Sequence, residues 1–284
     1  MRSIPLLAAD AVEIFDEITA AKRQPRRQRM QAVRSKVVAA YQDYDLAAPE
    51  VAGLKEVTLT QLQKDAMRHA YTVETAPMTE LRGNLLKRIS VARCPFCGIS
   101  ESSTLDHYLP KEKYPEFSVF PMNLVPSCAI CNTRKRDQIL VEGTNVRMFL
   151  HPCYDTIPDA AFVDVRVRMK EDALIVTYRV VRPVGIELHV FQQLKSHFEK
   201  LDLADRYRRM GIEHLGGQYP ALHRAFGPGK DGIRVAEKLI EGAEDFEEVA
   251  GPNYWLAKLY RALASNKEFC EGGFEAIRVQ RQPS

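Results

Sequence analysis

Residues 104–135 read TLDHYLPKEKYPEFSVFPMNLVPSCAICNTRK, and residues 94–98, shortly before, read CPFCG. Together they set Cys94 and Cys97 in one CxxC pair and Cys128 and Cys131 in a second, with 30 residues between the pairs. Thiolates three residues apart converge on one ion in a tight knuckle, and two knuckles complete a tetrahedral four-thiolate site, the usual structural zinc arrangement. The competing readings are a redox pair, which needs no second CxxC, and an iron–sulfur cluster. Gly98 supports a knuckle turn, because glycine takes positive φ without strain. Cys153 and Cys270 lack such spacing and read as core cysteines.

The contents of the loop raise a second question. Asp106 and His107 are adjacent in a segment that reads as a strand, so their side chains leave opposite faces of it. Asn132 follows the last thiolate directly, where a short helix should begin. A carboxylate and an amide oxygen are hard donors suited to Mg²⁺ or Mn²⁺. The spacing therefore predicts two metal sites side by side: a four-cysteine staple, and a hard site at Asp106 and Asn132 that the staple holds in place.

CPFCG, LDH, NL and CAICNTRK together resemble the HNH endonucleases, in the subclass with a four-cysteine zinc and an Asn in the third motif position. The resemblance covers about 50 of the 284 residues. It implies a ββα-metal fold that cleaves nucleic acid, with His107 as general base and Asp106 and Asn132 as ligands of the catalytic metal. It further implies that Asn123 orients the histidine and braces the loop, and that Cys94, Cys97, Cys128 and Cys131 hold zinc. The chain departs from the family's HNH lettering in having Asn132 in place of the final His.

The chemistry agrees independently. Phosphodiester hydrolysis needs an activated water and neutralisation of charge on the phosphate and the leaving oxygen. An ordinary histidine titrates near neutrality and can take the water's proton, and one divalent metal can serve the two oxygens. Lys111, Arg134 and Lys135 are candidate phosphate contacts. The bland alternatives are a packing histidine at His107, a turn cap at Asn123, and packing rather than site-flanking for His151.

Around this core the chain reads as mainly helical, an α+β protein in three parts. Residues 1–90 form a helical region: a helix over 5–22, a second from Pro25 carrying Met30, Val33, Val37, Tyr41 and Tyr44, a third from Leu59 to Glu74, and a fourth from Thr79 to Ile89 behind Pro77. Residues 91–150 form the cysteine-bearing module. Residues 151–284 begin with FVDVRVRMK and ALIVTYRVV, whose alternation predicts a β-hairpin with Val163, Val165, Val167 and Met169 on one face and Arg166, Arg168 and Lys170 on the other. Helices then return, including one over 231–242 and a last one in NYWLAKLYRALASN with Trp255, Leu259 and Leu263 as core. GGQYPALHRAFGPGKDG reads as loop.

Forty Lys and Arg against 37 Asp and Glu leave a net charge of +3, which names no partner by itself. The distribution says more. No acid stands between Glu17 and Asp43, while Lys22, Arg23, Arg26, Arg27, Arg29, Arg34 and Lys36 do. Arg26, Arg27 and Arg29 are therefore candidate nucleic-acid contacts, DNA foremost, against the alternative of a solvated helix face. The basic face of the hairpin, with Arg179, is a further candidate.

No apolar run could span a bilayer, and the N-terminal stretch has acids where a signal peptide would not. The expected address is cytoplasmic, where thiols stay reduced. The layout of helical region, CxxC module, FLHPCYD and a tryptophan-bearing last helix also resembles HNH proteins of bacterial antiphage systems of the Septu type, which implies an ATPase partner subunit. The competing classes are a restriction or mobile-element nuclease, and a zinc-stapled nucleic-acid-binding or scaffold module without catalysis.

Overall fold

The computed structural model describes residues 1–87, 93–171 and 173–278. The expected helix end at Ile89, the start of the module at 91 and the turn residue Asp172 lie outside the described residues. The chain is α+β: helices plus two separate two-stranded antiparallel sheets. It folds as two compact units, Met1–Ile157 and Pro158–Ser284.

The first unit opens with α1 (Ala11–Ala20), α2 (Arg26–Gln31), α3 (Arg34–Ala47), α4 (Gln61–Thr72) and α5 (Ala76–Lys87). Asp10 caps α1 by accepting from Val12 N and Glu13 N. Thr60 and Gln63 form a reciprocal capping box on α4. The expected single helix from Pro25 is interrupted at buried Val33, whose φ of −113° and ψ of 4° end one repeat and start the next. Pro77 lies inside the first turn of α5 rather than ahead of the helix; a missing N–H costs nothing there, because first-turn donors have no intrahelical partner.

The cysteine-bearing segment supplies β1 (Thr104–His107), β2 (Leu124–Ser127) and α6 (Ala129–Lys135). Asp106 pairs with Val125 and His107 with Leu124. Aromatic packing ties this segment to α3. Tyr41 stacks on Phe120 with ring centroids 4.1 Å apart, and Tyr44 meets Phe117 and Phe120 edge-on at 5.1 Å each. Met30, Val33, Val37, Tyr41 and Tyr44 are all buried, as their spacing predicts.

In the second unit β3 (Val163–Lys170) and β4 (Ala173–Val180) form the expected hairpin, with Val165 opposite Tyr178 and Val167 opposite Val176. There follow α7 (Leu188–Lys200), α8 (Leu203–Phe226), α9 (Gly232–Ala250), α10 (Trp255–Ala264) and α11 (Lys267–Cys270). Trp255, Leu259 and Leu263 are buried, and Tyr207 stacks on Trp255 at 5.6 Å. Gly211 lets α8 approach α10: a Cβ there would stand 2.7 Å from Leu259 Cδ2.

Residues 216–226, expected as loop, are helical, with Pro220 inside α8. Buried Gly211, Leu215 and Leu222 fall on one face at helical spacing, and burial of that stripe outweighs the single ladder bond that proline forfeits. The helix expected over 231–242 continues to Ala250. Cys270 is buried as expected, whereas Cys153 is half-buried. Among the described residues no helix is long and apolar enough to cross a membrane.

Candidate active site and metal centres

The four cysteines meet. Cys94, Cys97, Cys128 and Cys131 are buried, and their Sγ atoms lie within 4.8 Å of one another. Four thiolates at about 2.3 Å from one tetrahedral zinc stand ~3.8 Å apart; Cys97 Sγ and Cys128 Sγ are 3.9 Å apart, far beyond a disulfide. Gly98 takes φ +68° and donates its N–H to Cys94 O at 2.7 Å, which closes the first knuckle. In the second knuckle Cys128 is the N-cap of α6 and its Sγ accepts from Cys131 N at 3.4 Å. A ligand thiolate thus also caps the helix that carries Asn132. The donor set fits a structural zinc.

The staple fixes α6 against β1. Asn132 Nδ2 donates to Thr104 Oγ1 at 3.3 Å. One turn further on, Lys135 Nζ donates to the carbonyls of His107 and Tyr108 at 2.8 and 2.9 Å and lies 3.0 Å from Asp106 Oδ2. Thr104 and Asp106 share a face of β1, and Asn132 and Lys135 share a face of α6. Asp106 and Asn132 therefore stand on facing surfaces. Asp106 Oδ2 accepts no aligned hydrogen bond in spite of the nearby lysine. A buried carboxylate oxygen without a hydrogen bond, on the strand face turned to the helix that carries Asn132, suits a hard divalent ion, with Lys135 as the competing cation. Burial pushes the Asp106 carboxyl up to about 6, against the pull of Lys135.

This position removes Lys135 from the surface candidates. The side chain is 1% exposed and its ammonium is spent on β1. A lysine three residues after Asn132 points back along the same helix face, into the interior, while Arg134 points to solvent. Lys111 is half-buried and pairs with Glu112 at 2.9 Å.

His107 ends β1 and is buried. Its Nε2 lies 2.9 Å from Ser118 O. A carbonyl can only accept, so Nε2 carries the proton and Nδ1 is the basic nitrogen. Tyr71 of α4 packs edge-on against the ring at 4.3 Å, with the Arg82 guanidinium 5.2 Å from the tyrosine ring centre. The expectation that His107 titrates near neutrality needs correcting. Burial pushes its pKa down to about 3, opposed by the Ser118 hydrogen bond and reinforced by Lys111, Lys135 and Arg82.

Asn123 is fully buried and clamps the loop between the strands. Its Oδ1 accepts from Leu109 N at 2.7 Å, and its Nδ2 donates to Leu109 O at 3.0 Å and Phe117 O at 3.3 Å. Phe117 precedes Ser118, so Asn123 holds the peptide next to the carbonyl that holds the His107 ring. Sequence reading missed the group behind it: Tyr44 Oη is 3.4 Å from Asn123 Oδ1 and 3.3 Å from His151 Nε2. Tyr44 was legible only as an apolar helix position, and nothing in its spacing marks the hydroxyl. His151 packs between Tyr108 and Tyr154 at 4.2 and 4.7 Å.

Of the basic N-terminal run, Arg23 and Arg26 are exposed and Arg27 and Arg29 half-buried. Arg27 Nε donates to Lys22 O at 2.8 Å. Lys22 is buried with Nζ on Val73 O, and Arg34 is paired with Asp16 at 2.6 Å. The surface left for a polyanion is Arg23, Arg26, Arg29 and the outer guanidinium of Arg27.

The chain is 27% identical over 246 residues to Protein ea31 of Escherichia phage lambda, an alignment that spans 78% of this chain and 76% of that protein. No solved structure matches the chain. No protein-family model matches it either.

Proposed function

We propose that the first unit is a metal-dependent HNH-type endonuclease that hydrolyses phosphodiester bonds, in DNA foremost. The observation that carries this is the order β1–β2–α6 around a four-sulfur cluster, with Asp106 and His107 at the end of β1 and Asn132 on the α6 face turned toward Thr104 and Asp106. Asp106 and Asn132 would hold Mg²⁺ or Mn²⁺. Bound there, such an ion neutralises charge on the phosphate and the leaving oxygen. The chain's own residues do the rest. His107 is neutral at physiological pH and takes the proton of the attacking water at Nδ1. Ser118 O fixes the ring, Asn123 fixes the adjoining Phe117 carbonyl, and Arg134 and Lys111 meet neighbouring phosphates. The role in antiphage defence and the ATPase partner subunit belong to the same proposal and rest on likeness of layout.

The test is cleavage of plasmid, linear and single-stranded DNA and of RNA, with Mg²⁺ or Mn²⁺. His107→Ala should cut at least ~10²-fold more slowly, and Asp106→Ala or Asn132→Ala should abolish cutting while zinc content stays at wild-type level. An active preparation in which His107→Ala cuts at the wild-type rate overturns the reading. One observation favours the alternative of a zinc-stapled binding module without catalysis: Asp106 is already paired with a buried lysine and His107 is covered by Tyr71. Metal titration separates the two, because the non-catalytic module takes up zinc alone.

A further inference from the structure

The outer face of the β3–β4 hairpin, in the second unit, has no role in the mechanism above. The register places Asp164 opposite Arg179, Arg166 opposite Thr177, Arg168 opposite Ile175, and Lys170 opposite Ala173. These eight side chains form the outward face, because the alternate set (Val163, Val165, Val167, Met169, Val176, Tyr178) is the inner one. Four cations stand there with one acid. Arg179 is bonded to Asp164 at 2.6 Å, and Arg166 is 4.0 Å from the same carboxylate. Lys170 is 3.8 Å from the turn residue Glu171, and Arg168 has no ion-pair partner among the described residues. Arg166 and Lys170 are 63% and 69% exposed. Along β3, Arg166, Arg168 and Lys170 recur every second residue, a spacing of about 6.8 Å, which matches the step between successive phosphates of a nucleic-acid strand.

We infer that this ribbon is a docking surface for duplex nucleic acid, with Arg166, Arg168 and Lys170 of β3 on consecutive backbone phosphates. Three features select this occupant. Single strands are held on aromatic stacking platforms, and the outer face carries no aromatic side chain, Tyr178 being buried on the inner one. Protein interfaces are depleted of charge at their centre and enriched in aromatics, whereas here the cations occupy the centre. A two-stranded ribbon also has the width that a duplex groove admits. The inference rests on nucleic acid being the partner of the first unit, and it gives the second unit the task of holding the duplex.

The test is equilibrium binding of a short duplex to the full chain between 50 and 200 mM salt, without added divalent metal, for wild type and Arg166→Gln/Arg168→Gln/Lys170→Gln. With three phosphates no longer neutralised, the log–log salt slope falls by about 2.7. Over that fourfold salt range the wild type should then lose about 40-fold more affinity than the variant. A control, Lys195→Gln/Lys238→Gln/Lys267→Gln, removes the same charge from exposed helix positions of the same unit and should keep the wild-type slope. Both variants replace exposed side chains, and circular dichroism checks that they fold. An unchanged slope in the ribbon variant overturns the inference and leaves the nuclease reading intact. So does an equal fall in the control. Failure of wild type to bind any nucleic acid at 50 mM salt overturns both readings.

Discussion

Replacing Lys135 by methionine isolates what holds the candidate site in shape. The ammonium is 3.0 Å from Asp106 Oδ2, and both side chains are nearly devoid of solvent. At an effective dielectric of about 20 the attraction is ~5 kcal/mol, and removing one partner of a buried pair costs about 3–5 kcal/mol, because the other charge is stranded. The carbonyls of His107 and Tyr108 lose their donor in the same step. Asp106 limits the damage by taking a proton, so the cost depends on pH. In the wild type its carboxyl is raised from 3.8 to about 6, so the folded state binds more protons than the unfolded one between those values and stability falls as pH rises through that window. Without Lys135 the folded-state pKa rises further. The deficit of the variant therefore grows above pH 6 by about 1.4 kcal/mol per pH unit until that higher pKa is reached. At pH 8 the first unit should melt roughly 6–20 °C below wild type, and Lys135→Met/Asp106→Asn should recover much of that. Differential scanning calorimetry on zinc-loaded protein measures it. The single tryptophan, Trp255, lies in the second unit and reports an unchanged internal control. A destabilisation under about 1 kcal/mol at pH 8, or no recovery in the double variant, refutes the reasoning.

Purified protein should carry one zinc per four-cysteine cluster, and Cys97→Ser should unfold the first unit, since structural zinc contributes on the order of 10 kcal/mol to small domains; elemental analysis and circular dichroism read both, and folded, reduced protein without zinc refutes it. Changing Arg26, Arg27 and Arg29 together to Gln should lower the duplex-binding salt slope by about 0.9 for each phosphate these arginines neutralise, and an unchanged slope assigns the run to solvation. His107 is held neutral, with a folded pKa of about 3 against 6.5 when exposed. The His107 contribution should then cost about 1.4 kcal/mol per unit as pH falls from 6.5 toward 3, opposed by Asp106 between about 6 and 3.8, and His107→Gln should remove that cost relative to wild type in acid denaturation curves.

How much of this was legible follows from which interactions are local. The two CxxC pairs could be read because a knuckle needs only three residues and a turn, and the hairpin because strand period shows in eight residues of VDVRVRMK. Tertiary facts were not legible. Lys135 sits in a basic CNTRK run that looks solvated, and only the docking of α6 on β1 turns its ammonium inward. Pro220 looked like a helix stop because the stripe of Gly211, Leu215 and Leu222 that overrides it is meaningful only once α8 is packed into the second unit. The titration of His107 depends on Tyr71, 36 positions earlier, covering the ring.

The cysteine-bearing segment is accordingly less independent than its sequence suggests. It reads as a self-contained zinc module of about 50 residues, yet its packing depends on residues before and after it. Tyr41 and Tyr44 of α3 pack on Phe117 and Phe120. Val57 N supplies the donor for buried Glu116. Tyr71 donates to Leu105 O at 3.0 Å, within β1 itself. Arg147 bridges Glu50 and Asp155 at 2.9 and 2.6 Å while donating to Tyr108 Oη. A small zinc site can close two knuckles without help, but a two-stranded sheet of four residues per strand buries too little to fix the proposed general base to within a fraction of an ångström. Here the scaffold for that task is the N-terminal helical array. Changes in α3 or α4, far from any metal ligand in sequence, should therefore alter the position of His107 before they alter the zinc.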